Sequence, residues 1–147
     1  MLMFRTLWSV HPSNYGDDAP CRDKKGNSAF ENQCAIRMGV ALADAGMDLS
    51  SFRGARCWHG HRHVLRVEEL IKWLKTRTAD VGTARSFKPG ADARAAVAGV
   101  TGIVACRNFW GRGNQGDHID VWDGAQMAHG DPGYMDRSEE VVFWTIA

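Results

Sequence analysis

The spacing of the apolar residues changes once along this chain, near Gly102. Before that point, apolar side chains recur at the helical i, i+3, i+4, i+7 spacing, most regularly in residues 67–74. After it come short β-rich segments, such as residues 102–106 and the alternating apolar and polar residues 118–122. Helices that precede strands in this way favour the α+β class, in which helices pack on an antiparallel sheet.

The length of 147 residues suits one domain with its own hydrophobic core. We expect three parts in it: an amino-terminal helix and long loop in residues 1–29, a helical part in residues 30–100 and the sheet in residues 101–147. The long loop is predicted from the turn-forming residues that are frequent between positions 11 and 29. Long loops in compact domains are either functional or disordered.

The composition excludes several classes of protein. The formal net charge is +1 and there is no basic block, so nothing in the charge favours binding to nucleic acid or to an anionic membrane. No apolar stretch approaches the ~20 residues of a membrane span. The amino terminus also lacks the basic segment followed by an apolar segment that marks a secretory signal.

Cys34 lies where a polar run ends and a helix-period apolar run begins. That run ends at Gly46, which suits the residue after a helix. A cysteine on the first turn of a helix lies beside the positive end of the backbone dipole, which favours the thiolate, the nucleophilic form. Taken alone, Cys34 is better interpreted as a buried structural cysteine, because cysteine is among the most buried residue types.

His118, at the start of a predicted strand, supplies a partner that favours the catalytic interpretation. A cysteine nucleophile needs an imidazole that takes its proton and later protonates the leaving amine. A cysteine at the head of a helix and a histidine on a later antiparallel strand form the papain-like arrangement, far apart in sequence and adjacent in space. We therefore predict Cys34 as the nucleophile and His118 as the base.

The third catalytic residue is predicted from the turn Asp123-Gly124, the strongest short hairpin signal. If the turn has two residues, the next strand runs over residues 125–129 and His118 lies directly opposite His129. Opposed residues have Cβ atoms ~4.5–5.5 Å apart. We therefore predict that His129 hydrogen-bonds the His118 ring and completes the site. Two alternatives stay open.

The alternatives are aspartates. Asp120 lies two residues from His118 on the same strand, and Asp131 lies beyond the end of the predicted hairpin. A three-residue loop with a bulge would shift the register and bring a neighbouring residue into place.

A second cluster is formed by Cys57 and the alternating histidines His59, His61 and His63. These residue types bind zinc, but their spacing matches no standard zinc motif. We therefore predict no metal and no other cofactor, and treat a zinc-dependent hydrolase built on this cluster as the alternative. With Cys34 catalytic, at most one disulfide can form among Cys21, Cys57 and Cys106. The G-x-G-x-x-G at residues 111–116 precedes a strand rather than a helix, which argues against a dinucleotide site.

Four segments, taken in order, resemble a known family. They are F-x-N-Q-C-A-I-R-M at residues 30–38, R-V-x-x-L-I-x-W-L at 66–74, G-I-V at 102–104 and G-D-H-I-x-V-W-D-G at 116–124. Together they resemble the fourth family of type VI secretion amidase effectors, which have an NlpC-like, papain-type fold. The resemblance implies Cys34 as nucleophile and His118 as base. The family usually has an aspartate at the third position, where this chain has His129, with Asp131 two residues later.

The resemblance also implies a function. It implies an antibacterial toxin that cleaves the γ-D-glutamyl–meso-diaminopimelate bond of peptidoglycan stem peptides. It implies synthesis in the cytoplasm, export without a signal peptide, action in the periplasm of target bacteria and a cognate immunity protein as partner. A non-catalytic cell-wall-binding papain-like domain is the further alternative.

Overall fold

The computed structural model describes residues 1–58, 61–109 and 116–147, and it confirms the α+β class. Helices come first and most of the strands later. In chain order the elements are α1 (Phe4–Val10), a 3-10 helix (Pro12–Tyr15), α2 (Cys34–Asp44), α3 (Val67–Leu74), α4 (Thr78–Val81), β1 (Arg85–Phe87), α5 (Ala91–Ala96), β2 (Gly102–Arg107), β3 (His118–Trp122), α6 (Gly133–Arg137) and β4 (Glu140–Thr145). Among the described residues, none of the helices has the length and apolar character that a membrane span requires.

The four strands form one antiparallel sheet in the order β1-β4-β2-β3. Its two faces carry separate hydrophobic cores because side chains alternate along each strand. One face packs against α1, α2 and α3, with Ile103 and Ile119 among the sheet residues. The other packs against α5 and α6, with Val104 and Trp122. The sheet is therefore covered on both faces, and β3 forms one of its edges.

Helix α2 begins at Cys34 and ends where the sequence predicted. Gly46 follows it with a φ of 102°, in the left-handed region that favours glycine after a helix. At its other end the backbone N–H of Cys34 donates to Oδ1 of Asn32 at 3.1 Å. The apolar face of α2 packs against the first core cluster, which includes Met38 and Leu42. The buried helix thus fixes the position of Cys34 next to β3.

Three predicted features differ in the structure. Residues 76–90, whose polar composition with Gly82, Pro89 and Gly90 predicts a loop within the helical part, contain α4 and β1. One strand of the sheet therefore lies outside residues 101–147. A strand of three residues has too little periodicity to be recognised, and β1 is defined by its pairing with β4. Residues 125–129 do not form a strand, since only Met127 pairs, with Trp122. The short helix α6 was not predicted.

The hairpin register is also different, and Asp123 is the reason. Its Oδ1 accepts from the backbone N–H groups of Ala125, at 2.9 Å, and Gln126, at 2.7 Å. This side-chain turn lengthens the loop to the four residues 123–126, because Trp122 pairs with Met127. The predicted two-residue turn is therefore wrong. His129 lies opposite Asp120 rather than opposite His118.

Candidate active site

An open cleft of about 970 Å³ lies where the head of α2 meets the start of β3. Both predicted catalytic residues, Cys34 and His118, line it. Its other walls come from the segment before α2, the start of α3 and the residues that flank β3. They include Asn32, Gln33, Arg37, Leu65, Arg66, Glu68, Phe109, Asp117, His129 and Tyr134. The tertiary structure therefore brings together two residues that are far apart in the sequence.

Cys34 and His118 interact directly. The interaction with Cys34 contributes to raising the pKa of His118, and Sγ of Cys34 donates to the carbonyl oxygen of Asp117 at 3.8 Å. Both side chains are nearly buried, with 2% of Cys34 and 6% of His118 exposed. The ring of Tyr134 meets that of His118 edge to face, with centroids 5.4 Å apart, and stacks on Phe109. The thiol and the imidazole are thus held in contact at the base of the cleft.

Asp120 is the residue that holds the His118 ring. Its Oδ2 lies 2.8 Å from Nε2 of His118, and the carboxylate is completely buried. Three backbone N–H groups also donate to this carboxylate, those of Val121 at 2.8 Å, Ala128 at 3.2 Å and His129 at 2.9 Å. Because Nε2 is engaged by Asp120, Nδ1 is the ring nitrogen left to serve Cys34.

The electrostatic surroundings of His118 and Asp120 favour a charged pair, an imidazolium and a carboxylate. Burial alone would lower the pKa of His118, but the hydrogen bonds to Asp120 and Cys34 outweigh it and raise that pKa to about 9. Burial would raise the pKa of Asp120, and the His118 hydrogen bond and charge instead hold it below its usual value. His118 is therefore an imidazolium at neutral pH, paired with a buried carboxylate.

The prediction that His129 hydrogen-bonds the His118 ring is wrong. The His129 ring instead contacts Asp18, with Nδ1 and Oδ1 3.0 Å apart, and its side chain is 42% exposed. Asp131 is not the partner either, because its Oδ1 accepts from the backbone N–H of Gly133 at 2.8 Å, and Asp131 is exposed. Of the two aspartates that the sequence left open, Asp120 is the one that contacts His118.

Sequence reasoning missed His11, a residue of the amino-terminal segment that reaches this group. His11 is 1% exposed, its Nδ1 accepts from the backbone N–H of Ser13, and its Nε2 lies 3.5 Å from Oδ1 of Asp120. Burial lowers the pKa of His11 to about 4, so it is neutral. A single histidine before a loop carries no local pattern that would have identified it.

Gly130 packs directly behind the His118 ring. A Cβ at this position would lie 2.6 Å from Nε2 of His118 and 2.7 Å from Sδ of Met127. The space is needed for the close approach of the loop to the imidazole, so any side chain here displaces the ring.

We expect Gly130→Ala to lower kcat at least about tenfold while the protein still folds, since a ring displaced by about 1 Å no longer meets the thiol. Gly133→Ala is the matched control, because the nearest atom to its added Cβ would be Oδ1 of the Asp131 side chain, at 3.2 Å. Turnover and thermal unfolding of both variants are the measurements. Equal activities in the two variants would show that the space behind His118 is not needed.

The second cluster has a different composition from the predicted one. His59 lies outside the described residues. His61 and His63 come together with Cys57 and with Cys21, which belongs to the long amino-terminal loop. None of these four residues lines the cleft that contains Cys34 and His118. The loop of residues 110–115, with most of the G-x-G-x-x-G pattern, also lies outside the described residues.

The fold and the cleft define the class of the protein. Helices flank an antiparallel sheet, and a cysteine at the head of one helix lies beside a histidine on an edge strand. This arrangement is typical of the papain-like cysteine hydrolases. A family profile described as type VI secretion system (T6SS) amidase effector protein 4, Tae4, matches residues 30–144. The match covers most of the chain, and the chain belongs to this family. It is a peptidoglycan amidase effector that is delivered into target cells.

Solved structures of Tae4 effectors have the same fold. The effector from Enterobacter cloacae superposes with a TM-score of 0.73 at 19% identity, covering 100% of this chain and 98% of the other. The Tae4–Tai4 effector–immunity complex from Salmonella Typhimurium gives 0.72 at 17% identity, with coverage of 100% and 99%. The corresponding Enterobacter cloacae complex gives 0.68 at 21% identity, with the same coverage. No curated protein sequence matches the chain significantly.

Proposed function

We propose that this effector hydrolyses the γ-D-glutamyl–meso-diaminopimelate amide of peptidoglycan stem peptides, with Cys34 as nucleophile. The observation that carries the proposal is the continuous contact from Cys34 through His118 to Asp120 at the base of an open cleft. His118 acts as general base and acid, and Asp120 takes the orienting role first expected of His129. The bond and the site of action, the periplasm of the target cell, follow from the family's chemistry, since peptidoglycan lies there.

The reaction follows from the arrangement of these groups. The Cys34 thiolate attacks the amide carbonyl, and the His118 imidazolium protonates the leaving amine. The neutral His118 then takes a proton from the water that hydrolyses the thioester, which frees Cys34. The oxyanion forms near the head of α2, where it competes with Oδ1 of Asn32 for the backbone N–H of Cys34.

Arg66 is the residue best placed to bind a carboxylate of the stem peptide. It lines the cleft and is exposed, and its ion pair with Glu69 is long, with 3.8 Å between Nη1 and Oε2. The other arginines near the cleft are held more closely: Arg107 pairs with Glu68 and Glu140, and Arg37 donates to the carbonyl oxygen of Asp18 at 2.7 Å. Arg112 lies outside the described residues.

A cognate immunity protein is the expected partner in the producing cell. Two related effectors were solved in complex with a Tai4 immunity protein. An enzyme that degrades the producer's own cell wall requires such a partner. An immunity protein that covers the cleft would block access to Cys34.

Digestion of purified sacculi tests the proposed activity. We expect fragments with new D-glutamate carboxyl and diaminopimelate amino ends, identified by mass spectrometry, and no change in the glycan chains. Fragments cut at another bond, or intact sacculi, would contradict the assignment. A zinc hydrolase is less well supported, because His61 and His63 lie outside the cleft.

The raised pKa of His118 predicts the alkaline limit of activity. Its value of about 9 lies above the ordinary 6.5, so the imidazolium is fully present below pH 6.5 and is lost as the pH rises through 9. We expect kcat/KM to fall above about pH 9, because the leaving amine then lacks its acid. A profile of kcat/KM against pH measures this limit. A fall centred near pH 6.5 would show that Asp120 does not hold the imidazolium.

A further inference from the structure

Cys21, Cys57, His61 and His63 form a cluster of metal-ligand residues outside the cleft that contains Cys34 and His118. One ligand atom of each lies within 4.8 Å of the other three. Nδ1 of His61 lies 3.6 Å from Sγ of Cys21 and 3.6 Å from Sγ of Cys57. The two cysteines are nearly buried, with 0% and 5% exposed.

These distances suit a tetrahedral zinc site. Zn–S bonds of about 2.3 Å and Zn–N bonds of about 2.05 Å at a tetrahedral angle place a sulfur and a nitrogen ligand about 3.6 Å apart. Two thiolates and two imidazoles are the ligand set of many structural zinc sites, and soft sulfur ligands select zinc over magnesium or calcium. We propose that these four side chains bind one structural Zn²⁺ ion.

The described backbone at Cys57 and at residues 61–63 brings these ligands together. The N–H of Cys57 donates to the carbonyl oxygen of His63 at 2.9 Å, which holds these two residues side by side. Arg62 has a φ of 58°, in the left-handed region that a residue with a side chain rarely adopts. This turn places His61 and His63 side by side, with ring centroids 5.0 Å apart.

His63 gives a second, independent indication. Its Nδ1 is shielded from solvent and has no hydrogen-bond partner among the described residues. A buried polar atom without a partner destabilises the folded protein, because it has lost its hydrogen bonds to water. A metal ion bound through this nitrogen supplies the missing partner.

The ion would fasten the long amino-terminal loop to the wall of the cleft. The backbone of Cys21 holds the Gln33 side chain, through its N–H to Oε1 at 2.9 Å and through its carbonyl oxygen from Nε2 at 2.8 Å. Gln33 directly precedes Cys34. Binding of Zn²⁺ replaces the two thiol protons, which pass to solvent, and links residues 21 and 33 to the segment that ends at Leu65 and Arg66.

Metal content is the first test and needs no substrate, so its result is independent of the proposed activity. The protein is purified under reducing conditions without chelator, with any polyhistidine tag removed, and analysed for metals by mass spectrometry. We expect one zinc per chain. We also expect metal-free protein reloaded with Co²⁺ to show the charge-transfer absorption of thiolate ligands.

Variants locate the site. Cys21→Ser is expected to lose the zinc and the cobalt charge-transfer signal. Cys106→Ala is expected to keep both, because Cys106 is buried in the core between the sheet and helices α5 and α6. His61 is exposed, so His61→Ala should fold and weaken Co²⁺ binding at least about tenfold. Chelator is expected to lower the melting temperature of the wild type but not of Cys21→Ser.

Three results would overturn the proposal. They are wild-type protein that binds neither Zn²⁺ nor Co²⁺ with its thiols reduced, a Cys21–Cys57 disulfide in the reduced preparation, and His61→Ala with unchanged Co²⁺ affinity. The disulfide and the His61→Ala affinity are measured on wild-type protein and on a variant expected to fold. The proposal can therefore be contradicted even if the cysteine variants do not fold.

Discussion

Replacing Cys34 with alanine is expected to abolish cleavage of stem peptides, lowering kcat/KM by about four orders of magnitude or more. In the proposed mechanism the Cys34 thiolate forms the covalent intermediate, and alanine offers no nucleophile in its place. The substitution removes one sulfur atom from a small side chain, so the cost in unfolding free energy should stay near 1 kcal/mol. Turnover of purified muropeptides and thermal unfolding are the two measurements.

Cys106→Ala is the matched control for this experiment. Cys106 on β2 lies directly opposite His118 on β3. It is therefore a second cysteine whose backbone is close to that of the proposed base. It is completely buried, and burial raises its pKa to about 12, which keeps it a thiol. We expect Cys106→Ala to retain most of the activity.

His118→Ala should be nearly as inactive as Cys34→Ala, and the double variant no worse, because nucleophile and base act as a unit. A Cys34→Ala protein with more than a few per cent of wild-type turnover would contradict the cysteine mechanism. Alkylation of the wild type should stop turnover as well.

The second large effect is expected at Asp120. Asp120→Asn keeps the size of the side chain but removes the negative charge that stabilises the His118 imidazolium, and turnover should fall about 10²-fold or more. Asp120→Ala should be still more damaging, because it also leaves three backbone N–H groups without their acceptor. The asparagine variant therefore separates the loss of charge from the loss of structure.

A pH profile distinguishes an orienting role from a structural one. In Asp120→Asn the alkaline fall in kcat/KM should move from about pH 9 toward lower pH, since the carboxylate is a main cause of the raised His118 pKa. A variant that is merely destabilised would keep its limit near pH 9. An unshifted profile would therefore remove Asp120 from the catalytic group.

His129→Ala is the comparison that decides between the two candidates for the third residue. His129 is 42% exposed at its side chain and contacts Asp18 rather than His118, so most of the activity should remain. Its backbone N–H, which donates to Asp120, is unchanged by the substitution. Loss of activity in His129→Ala with Asp120→Asn still active would support the original sequence prediction instead.

Local sequence indicated helices α2 and α3, strands β2 and β3, and the proposed catalytic pair. The run that starts at Cys34 and ends at Gly46 carries its own periodicity and its own terminating glycine, so α2 could be read without knowledge of any other segment. The regular apolar spacing of α3 and the alternation of β3 are local in the same way. Cys34 and His118 could be paired because their chemistry requires a partner of that type.

The tertiary structure decided those contacts for which the local sequence allows more than one turn or more than one partner. Asp123-Gly124 allows a two-residue turn, and only the capture of two backbone N–H groups by the Asp123 carboxylate selects the four-residue loop that puts His129 opposite Asp120. Asp120 and His118 face the same side of β3, so the strand pattern permitted their contact but did not show it. The buried carboxylate is satisfied by the loop after the turn, which no local signal specifies.

The most distant contacts could not be predicted from the sequence at all. Asp18 and His129 are 111 residues apart, and Cys21 and His61 are 40 residues apart. Each of these pairs depends on how the amino-terminal loop, which has no periodicity of its own, packs over the finished core. The sequence by itself therefore determined the fold class and pointed to Cys34 and His118 as the proposed reacting pair, because periodicity and residue chemistry act over a few positions. Only the tertiary structure decided the third residue and the cysteine–histidine cluster, because both depend on side chains that meet after the chain has closed long loops.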